Sequence, residues 1–569
     1  MFQIKLSYDK NHDPYIKIPF NGHDLLRISK LNKGCAFSLE ERESFVLTGL
    51  LPHQIETLEQ QTARMYEQFQ EHHTNLAKNI YLNALYDYNE TLFYKLLSQH
   101  LEEMLPIIYT PTVGEAVERF SLEHRKPRGL YISYPDRARI DQILDNRYLA
   151  DVDLIVVTDG GAVLGIGDQG IGGINIAVAK LMVYTLCGGI SPHRTLPIQL
   201  DVGTNNETLL NDPMYLGWRH ERITGKTYQD FIESFVNAVQ RKFPTVLLHW
   251  EDVGRDHARS ILQHYRDKIC TFNGDIQATG VVTVACILAG MEASSIPLKN
   301  HRIVIFGAGT AGTGIADQIH LALQHSGLSA EEASSKFWLI DKSGLLTRDS
   351  PGLLDFQKPY ARSSQELAQW KIKDPANISL DEVVKNIHPT ILIGCSAVPG
   401  AFTKEIIQNM NKHTKRPIIM PLSNPLSKSE ATPHDLIQWT EGQAIIATGS
   451  PYPDVIYGGK QIRVAQCNNA FSFPGIGLGA IAAKARFITD GMLWAAAQTL
   501  SQFSHAHHNP FEPILPKLTE SKKIRRQIAL AVAEEARKEG IATVDPALDL
   551  EHLIDNMIWE ARYYPYKKD

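Results

Sequence analysis

The sequence predicts an α/β protein with two domains built on parallel sheets and helical segments at both ends. Three observations carry that expectation. Short apolar runs at 302–306, 337–340, 390–394, 417–421 and 444–448 alternate with helical stretches, the pattern of βαβ units. A separate β-branched run at 154–158 (LIVVT) turns at Asp159-Gly160-Gly161 and is followed by a second short run at 162–166 (AVLGI), which marks a second sheet. Polar, leucine-spaced stretches fill the first 125 or so residues, and helical periodicity returns near the C-terminus.

In chain order, Ser38-Leu39-Glu40-Glu41 has the form of a capping box, serine and glutamate each satisfying a free backbone amide of the other. The stretch after Pro52 continues as helix. Residues 174–186 (INIAVAKLMVYTL) form a largely apolar helix with one lysine, Lys180. The strand–helix alternation runs from 276 to 469. Ile524, Ile528, Ala531 and Val532 then fall on one helical face, with Gly540 placed to end that helix. The expected division is a helical domain at 1–125, an α/β domain at 126–275 that also takes in 470–540, a dinucleotide-type domain at 276–469, and an extension at 541–569. About 150 residues per domain also leads 569 residues to three or four domains.

Composition narrows the function. A chain that is 43% hydrophobic and 21% charged supports an ordinary core, and a net charge of −6 argues against a nucleic-acid binder. No run of about 20 uniformly apolar residues is apparent, so no membrane span is expected. The polar N-terminus lacks the apolar region of a secretory signal. Six scattered cysteines without a CxxC read as reduced thiols, and the expected location is the cytoplasm. The His-rich stretch 504–510 reads as a polar loop, because its spacing fits no familiar metal site.

Gly307-Ala308-Gly309-Thr310-Ala311-Gly312 follows a strand and opens a helix. In such a GxGxxG turn the first glycine permits the bend, the second lets a pyrophosphate approach, and the third lets helix and strand pack, with the helix N-terminus facing the phosphates. Gly165-Ile166-Gly167-Asp168-Gln169-Gly170 also matches the string, but only the former begins a strand–helix series. Asp341 closes the next strand and is suited to accept hydrogen bonds from ribose hydroxyls while repelling a 2′-phosphate. The domain therefore reads as a Rossmann-type, doubly wound sheet that takes NAD.

Glu251 and Asp252 stand side by side and Asp275 offers a third carboxylate; oxygen ligands of this kind suit Mg²⁺ or Mn²⁺. Tyr109 and Lys180 are candidates for proton transfer, since a lysine buried near a divalent cation has its ammonium disfavoured.

Taken together, LNKGCAF, GLLPHQIETLEQQ, NETLFYKLL, LPIIYTPTVGEAVERFS, RKPRGLYIS, VVTDG, LGIGDQGIGG, TLPIQLDVGTNN, WED, FNGDIQATG, FGAGTAGTGIA, PLSNPLSKSEAT, ATGSP and NNAFSFPGIGLGAI resemble the malic enzyme family, in family order over residues 29 to 500 or so. The resemblance implies oxidative decarboxylation of L-malate to pyruvate and CO₂ by a homodimer or homotetramer. It implies that Tyr109 is the general acid and Lys180 the general base. Glu251, Asp252 and Asp275 would hold the metal. Gly307, Gly309, Gly312, Asp341 and Asn424 would face NAD, and Asn424 and Asn469 would hold malate.

Two positions depart from the family pattern. Ala162 stands where the family carries an arginine that grips a malate carboxylate, and Gly274 replaces an aspartate beside base and metal. On this reading Gly274→Asp is expected to raise turnover. The sequence also resembles malolactic enzyme, which converts malate to lactate and CO₂ with NAD kept bound, in its Leu247-Leu248-His249-Trp250-Glu251-Asp252 string. A weakly catalytic relative that binds nucleotide or metabolite is the third reading open at this level.

Overall fold

The structure, a computed structural model, describes residues 3–163, 165–507, 509 and 511–569. Leu164, within the expected strand at 162–166, and His508 and Pro510, within the His-rich stretch, lie outside the described residues. The chain divides into two compact units, 1–160 with 168–248 and 555–569, and 161–167 with 249–554.

In the first unit the strands Leu130–Ser133, Thr195–Asp201 and Leu154–Thr158 run parallel in that spatial order. Every residue of Leu154–Thr158 is buried. Such a strand reads as a continuous apolar run because both sheet faces are covered. One cover is the helix Ile174–Gly188, whose residues are buried on nearly every side. It ends at Gly189 in the left-handed conformation (φ 72°), which glycine adopts without a Cβ penalty. The helices Leu58–Gln70, Asn75–Tyr88, Glu90–Gln99, Leu101–Ile108 and Thr112–Glu118 build the rest of this unit. They do not form a separate domain at 1–125. Asn175 donates to the Ala116 carbonyl at 3.1 Å, and Gly172 packs against the Val117 carbonyl, so helix and sheet share one interior. The capping box forms as expected, Glu41 N donating to Ser38 Oγ at 3.1 Å and Ser38 N to Glu41 Oε2 at 3.0 Å.

A small sheet was not expected. Leu6–Tyr8 pairs antiparallel with Pro14–Ile18, and Tyr566–Lys568 joins Pro14–Ile18 in parallel. Ile16, Ile18, Leu25, Leu31, Phe37, Phe45 and Leu47 form its buried cluster. Lys33 is fastened there by Glu41 (2.5 Å), the Tyr564 carbonyl (2.6 Å) and the Tyr566 ring, 3.8 Å below its Nζ. Burial pushes the Lys33 ammonium down in pKa against the opposing pull of Glu41.

The second unit holds the doubly wound sheet, in the order Gly344–Leu345, Phe337–Asp341, Ile303–Phe306, Ile391–Gly394, Ile418–Pro421, Ile445–Thr448, Ala465–Gln466. The five expected strands are present to within a residue at each end. Ile303–Phe306 and Ile391–Gly394 lie side by side in parallel register although 84 residues of chain separate Phe306 from Ile391. That reversal of strand order opens the crevice in which such sheets bind ligands. The helices Phe473–Ala482, Asp490–Ser501 and Ser521–Lys538 belong to this unit, so of the expected 126–275 domain 470–540 joins only 161–167 and 249–275. They pack on one another, Asp490–Ser501 also packs on the helices Thr279–Ser294 and Thr310–His325, and Ser472 Oγ donates to the Ala278 carbonyl at 3.0 Å. The extension at 541–569 is itself divided, 541–554 staying here and 555–569 returning to the first unit.

Among the described residues of 162–166 no strand forms; Val163 and Gly167 make one isolated antiparallel bridge. Two helical stretches, Gly170–Gly188 and Gly274–Ser294, are long and apolar enough to cross a membrane, and 94% and 78% of their apolar windows are buried inside the protein. They are core helices, and the absence of long apolar runs expected from sequence is corrected accordingly.

Candidate functional site

In the first unit, Tyr109 follows the last turn of Leu101–Ile108, its N–H donating to the Leu105 carbonyl at 2.9 Å. Pro106 brings no N–H to that turn, while its own carbonyl accepts from Thr112 Oγ1 at 2.7 Å. The YTPT turn is therefore fastened at both ends. Lys180 has no exposed surface and Tyr109 is 5% exposed. Lys180 Nζ lies 2.7 Å from Tyr109 Oη, so an amine and a phenol separated by 71 residues share one hydrogen bond. In the same unit, Arg222 was missed by sequence reading. It joins Asp168 Oδ2 through Nε at 2.8 Å and the Asp159 carbonyl through Nη2 at 2.7 Å, and Tyr228 donates to Asp159 Oδ2 at 2.8 Å. The two ends of the 159–168 connection are thereby held by one guanidinium.

In the second unit, Glu251, Asp252 and Asp275 offer ligand oxygens all within 4.8 Å of one another. Glu251 and Asp252 follow directly on the buried strand Leu247–Trp250, and Asp275 lies in the π-helical turn Gly274–Ala278. Asp252 N donates to Asp275 Oδ2 at 2.9 Å. Asp252 adopts φ 50°, a left-handed backbone that a side chain adopts at some cost and that clusters at functional positions. Asn273 Oδ1 accepts from Ile276 N at 2.8 Å and Gln277 Oε1 from Asn273 N at 2.9 Å, which fixes the turn. Three carboxylates gathered at this spacing fit a hard divalent cation, which takes oxygen ligands.

Gly274 is packed from its hydrogen side. A Cβ there would lie 2.6 Å from His249 Nε2 and closer still to Glu251 Oε2. An aspartate here requires the ends of the Glu251 and His249 side chains to move aside. Ala162 N donates to the Asp252 carbonyl at 3.2 Å, so the residue replacing the family arginine borders the carboxylate turn through its backbone.

At the dinucleotide sheet, Gly307 takes φ 110° and packs against the Cys395 carbonyl, at the switch point. Gly312 faces the Gly307 carbonyl with no room for a Cβ, whereas a Cβ on Gly309 would meet nothing within 4 Å. The three glycines thus serve bend, approach and packing separately. Gln357, which sequence reading did not single out, donates through Nε2 to the Ala308 carbonyl (2.8 Å) and to Asp341 Oδ2 (3.1 Å). It ties the glycine turn to the acidic strand end. Glu430, fully buried, was missed as well: Oε1 accepts from Ser396 N (2.9 Å), Ser396 Oγ (2.9 Å) and Ser423 Oγ (2.5 Å). One carboxylate orders the loops after two neighbouring strands.

Asn424 sits in the loop after Ile418–Pro421, accepting from Ser450 Oγ, and Gly165 abuts its carbonyl. Asn469 begins the turn Asn469–Phe471 and reaches Thr279 Oγ1 at 3.4 Å. Both asparagines are half-buried. The arrangement thus joins Lys180 to Tyr109, gathers the three carboxylates, and sets the glycine turn beside Asp341.

Comparison with known proteins shows the family of the chain. Residues 86–266 match the family model for the malic enzyme N-terminal domain, and 276–537 match that for the malic enzyme NAD-binding domain. The chain is 50% identical to an NAD-dependent malic enzyme of Pectobacterium atrosepticum over 565 residues, covering 99% of this chain and 100% of the relative. It is 50% identical to NAD-dependent malic enzyme 3 of Bacillus subtilis over 557 residues, 97% and 98% of the two chains. Among solved structures, a malic enzyme from Entamoeba histolytica shares the fold with a TM-score of 0.56 at 22% identity, over 90% of each chain. One from Pyrococcus horikoshii gives 0.53 at 24% identity, over 80% and 88%.

Proposed function

The chain belongs to the malic enzyme family, and from that premise we propose that Lys180 and Tyr109 are its proton-transferring pair. The reaction is the NAD-dependent oxidative decarboxylation of L-malate to pyruvate and CO₂. The observation that supports the pair is the 2.7 Å contact between a lysine and a tyrosine both withdrawn from solvent.

Lys180 accepts the proton of the C2 hydroxyl as the C2 hydride leaves. After CO₂ is lost from C4, Tyr109 Oη delivers a proton to C3 of the enolate, giving pyruvate. Lys180 Nζ, within hydrogen-bond reach of that phenol, returns the proton it took, so the two groups end the cycle as they began it. NAD, held by Gly307, Gly309, Gly312 and Asp341, supplies the hydride acceptor, and Mg²⁺ or Mn²⁺, held by Glu251, Asp252 and Asp275, supplies Lewis acidity for the loss of CO₂. Asp341 favours a free ribose 2′-hydroxyl over a phosphate. Asn424 and Asn469 bind malate through their amides. The enzyme works in the cytoplasm, a reading supported by six free thiols, and as a homodimer or homotetramer.

The test is purified protein with L-malate, Mn²⁺ and NAD. NADH and pyruvate are expected to appear together, in equal amounts. Lactate without net NADH would replace this reading by the malolactic one, and neither product, with NAD binding intact, would leave only a binding role. Light scattering reads the subunit number.

A further inference from the structure

His249 is completely buried in the strand Leu247–Trp250. The two-residue period of extended chain puts it on the same side as Glu251, and the two meet, His249 Nε2 lying 2.7 Å from Glu251 Oε2. Phe272 and Phe473 stand edge-on to the imidazole, with ring centres 5.2 Å and 5.9 Å away at 76° and 84°. The ring is therefore wedged, and its nitrogen is delivered to one carboxylate oxygen. A Cβ at Gly274 would approach His249 Nε2 to 2.6 Å, so the pair lies directly against the turn that carries Asp275.

We propose that His249 is a positioning residue of the cation centre: it orients the Glu251 carboxylate for ligation. The inference rests on Glu251, Asp252 and Asp275 being the cation ligands. Ligating carboxylates are themselves held by hydrogen bonds, and losing such a partner lowers metal affinity by about 10- to 100-fold.

The test is Mn²⁺ binding to the full-length protein without malate or NAD, read from the electron paramagnetic resonance of free Mn²⁺, with the melting temperature of each variant in EDTA as a check on folding. Asp275→Asn is expected to abolish the high-affinity site, which establishes the ligand set. His249→Leu is expected to weaken Mn²⁺ binding about 10- to 100-fold, and His249→Gln, whose amide reaches the Nε2 position, to recover most of that loss. Parental affinity in His249→Leu, or no difference between the leucine and glutamine variants, overturns the role of His249. Parental affinity in Asp275→Asn overturns the ligand assignment and this inference with it. Should the leucine variant fail to fold, His249→Asn, whose shorter amide stops short of the Nε2 position, takes its place: weakened binding is expected, and parental affinity overturns the role.

Discussion

Lysine is almost never fully buried unless it is paired, and Lys180, without exposed surface, shares a hydrogen bond with a phenol. Neither residue announces this alone. Lys180 in an apolar helix reads like any snorkelling lysine, and Tyr109 like any amphipathic tyrosine; only the ordered family motifs gave them roles. Gln357, Glu430, Arg222 and His249 were illegible for a related reason, since their partners lie in other segments or, for His249, depend on which face the strand presents. If Lys180 is the base, Lys180→Ala lowers kcat by at least about 100-fold, the lower range for a positioned acid or base, with little change in the KM for malate. Tyr109→Phe, which keeps the ring and removes the proton, is expected to slow protonation at C3 and to release enolpyruvate, which turns to pyruvate in solution. Steady-state kinetics and product analysis check both, and a near-normal rate in Lys180→Ala removes it from that role.

Local elements were the most legible part of the chain. Five strands of the dinucleotide sheet stood out because parallel strands covered on both faces are short apolar runs, and the glycine turn stood out by its neighbours. The 162–166 segment misled because its apolar residues resemble a strand, although it closes only one bridge. The turn and its helix Thr310–His325 invite a paired prediction. Gly309 faces open space and Gly312 faces the Gly307 carbonyl. Gly309→Ala should therefore raise the Kd for NAD by about tenfold, or about 1.4 kcal/mol, with an unchanged melting temperature. Gly312→Ala should destabilise the fold by about 1–3 kcal/mol through overpacking. Isothermal titration and thermal melts separate the two, and equal effects on both readouts would contradict the division of labour between these glycines.

At the scale of the whole molecule, the division into two units was only partly readable, since composition marks no boundary at 160, 248 or 554 and the helices of 470–540 could have covered either sheet. Each unit carries its own response to acid. His301, against Thr390 Oγ1 at 2.8 Å in the second unit, is held at a pKa of about 4 by burial, with Arg302 adding to the effect. An unfolded histidine titrates near about 6.5, so the stability tied to the neutral ring is complete above that pH and is lost as pH falls toward about 4. In the first unit burial alone would raise Glu90, but Lys30 and His193 override it and hold the carboxyl at about 2. Its contribution is complete above the ordinary glutamate range and drains away as pH falls from there toward about 2. Urea midpoints measured from pH 7 to pH 4 should therefore decline, and His301→Asn should flatten that decline by up to about 1.4 kcal/mol per pH unit, the slope of one proton. An unaltered slope in His301→Asn would assign the acid sensitivity to other groups.

The parallel pairing of Tyr566–Lys568 with Pro14–Ile18 has a consequence for biosynthesis. A ribosome emits residues 14–18 early and residues 566–568 long afterwards. The unit whose chain emerges first is therefore sealed late, and until then the hairpin of Leu6–Tyr8 with Pro14–Ile18 presents an open strand edge that could pair with another chain.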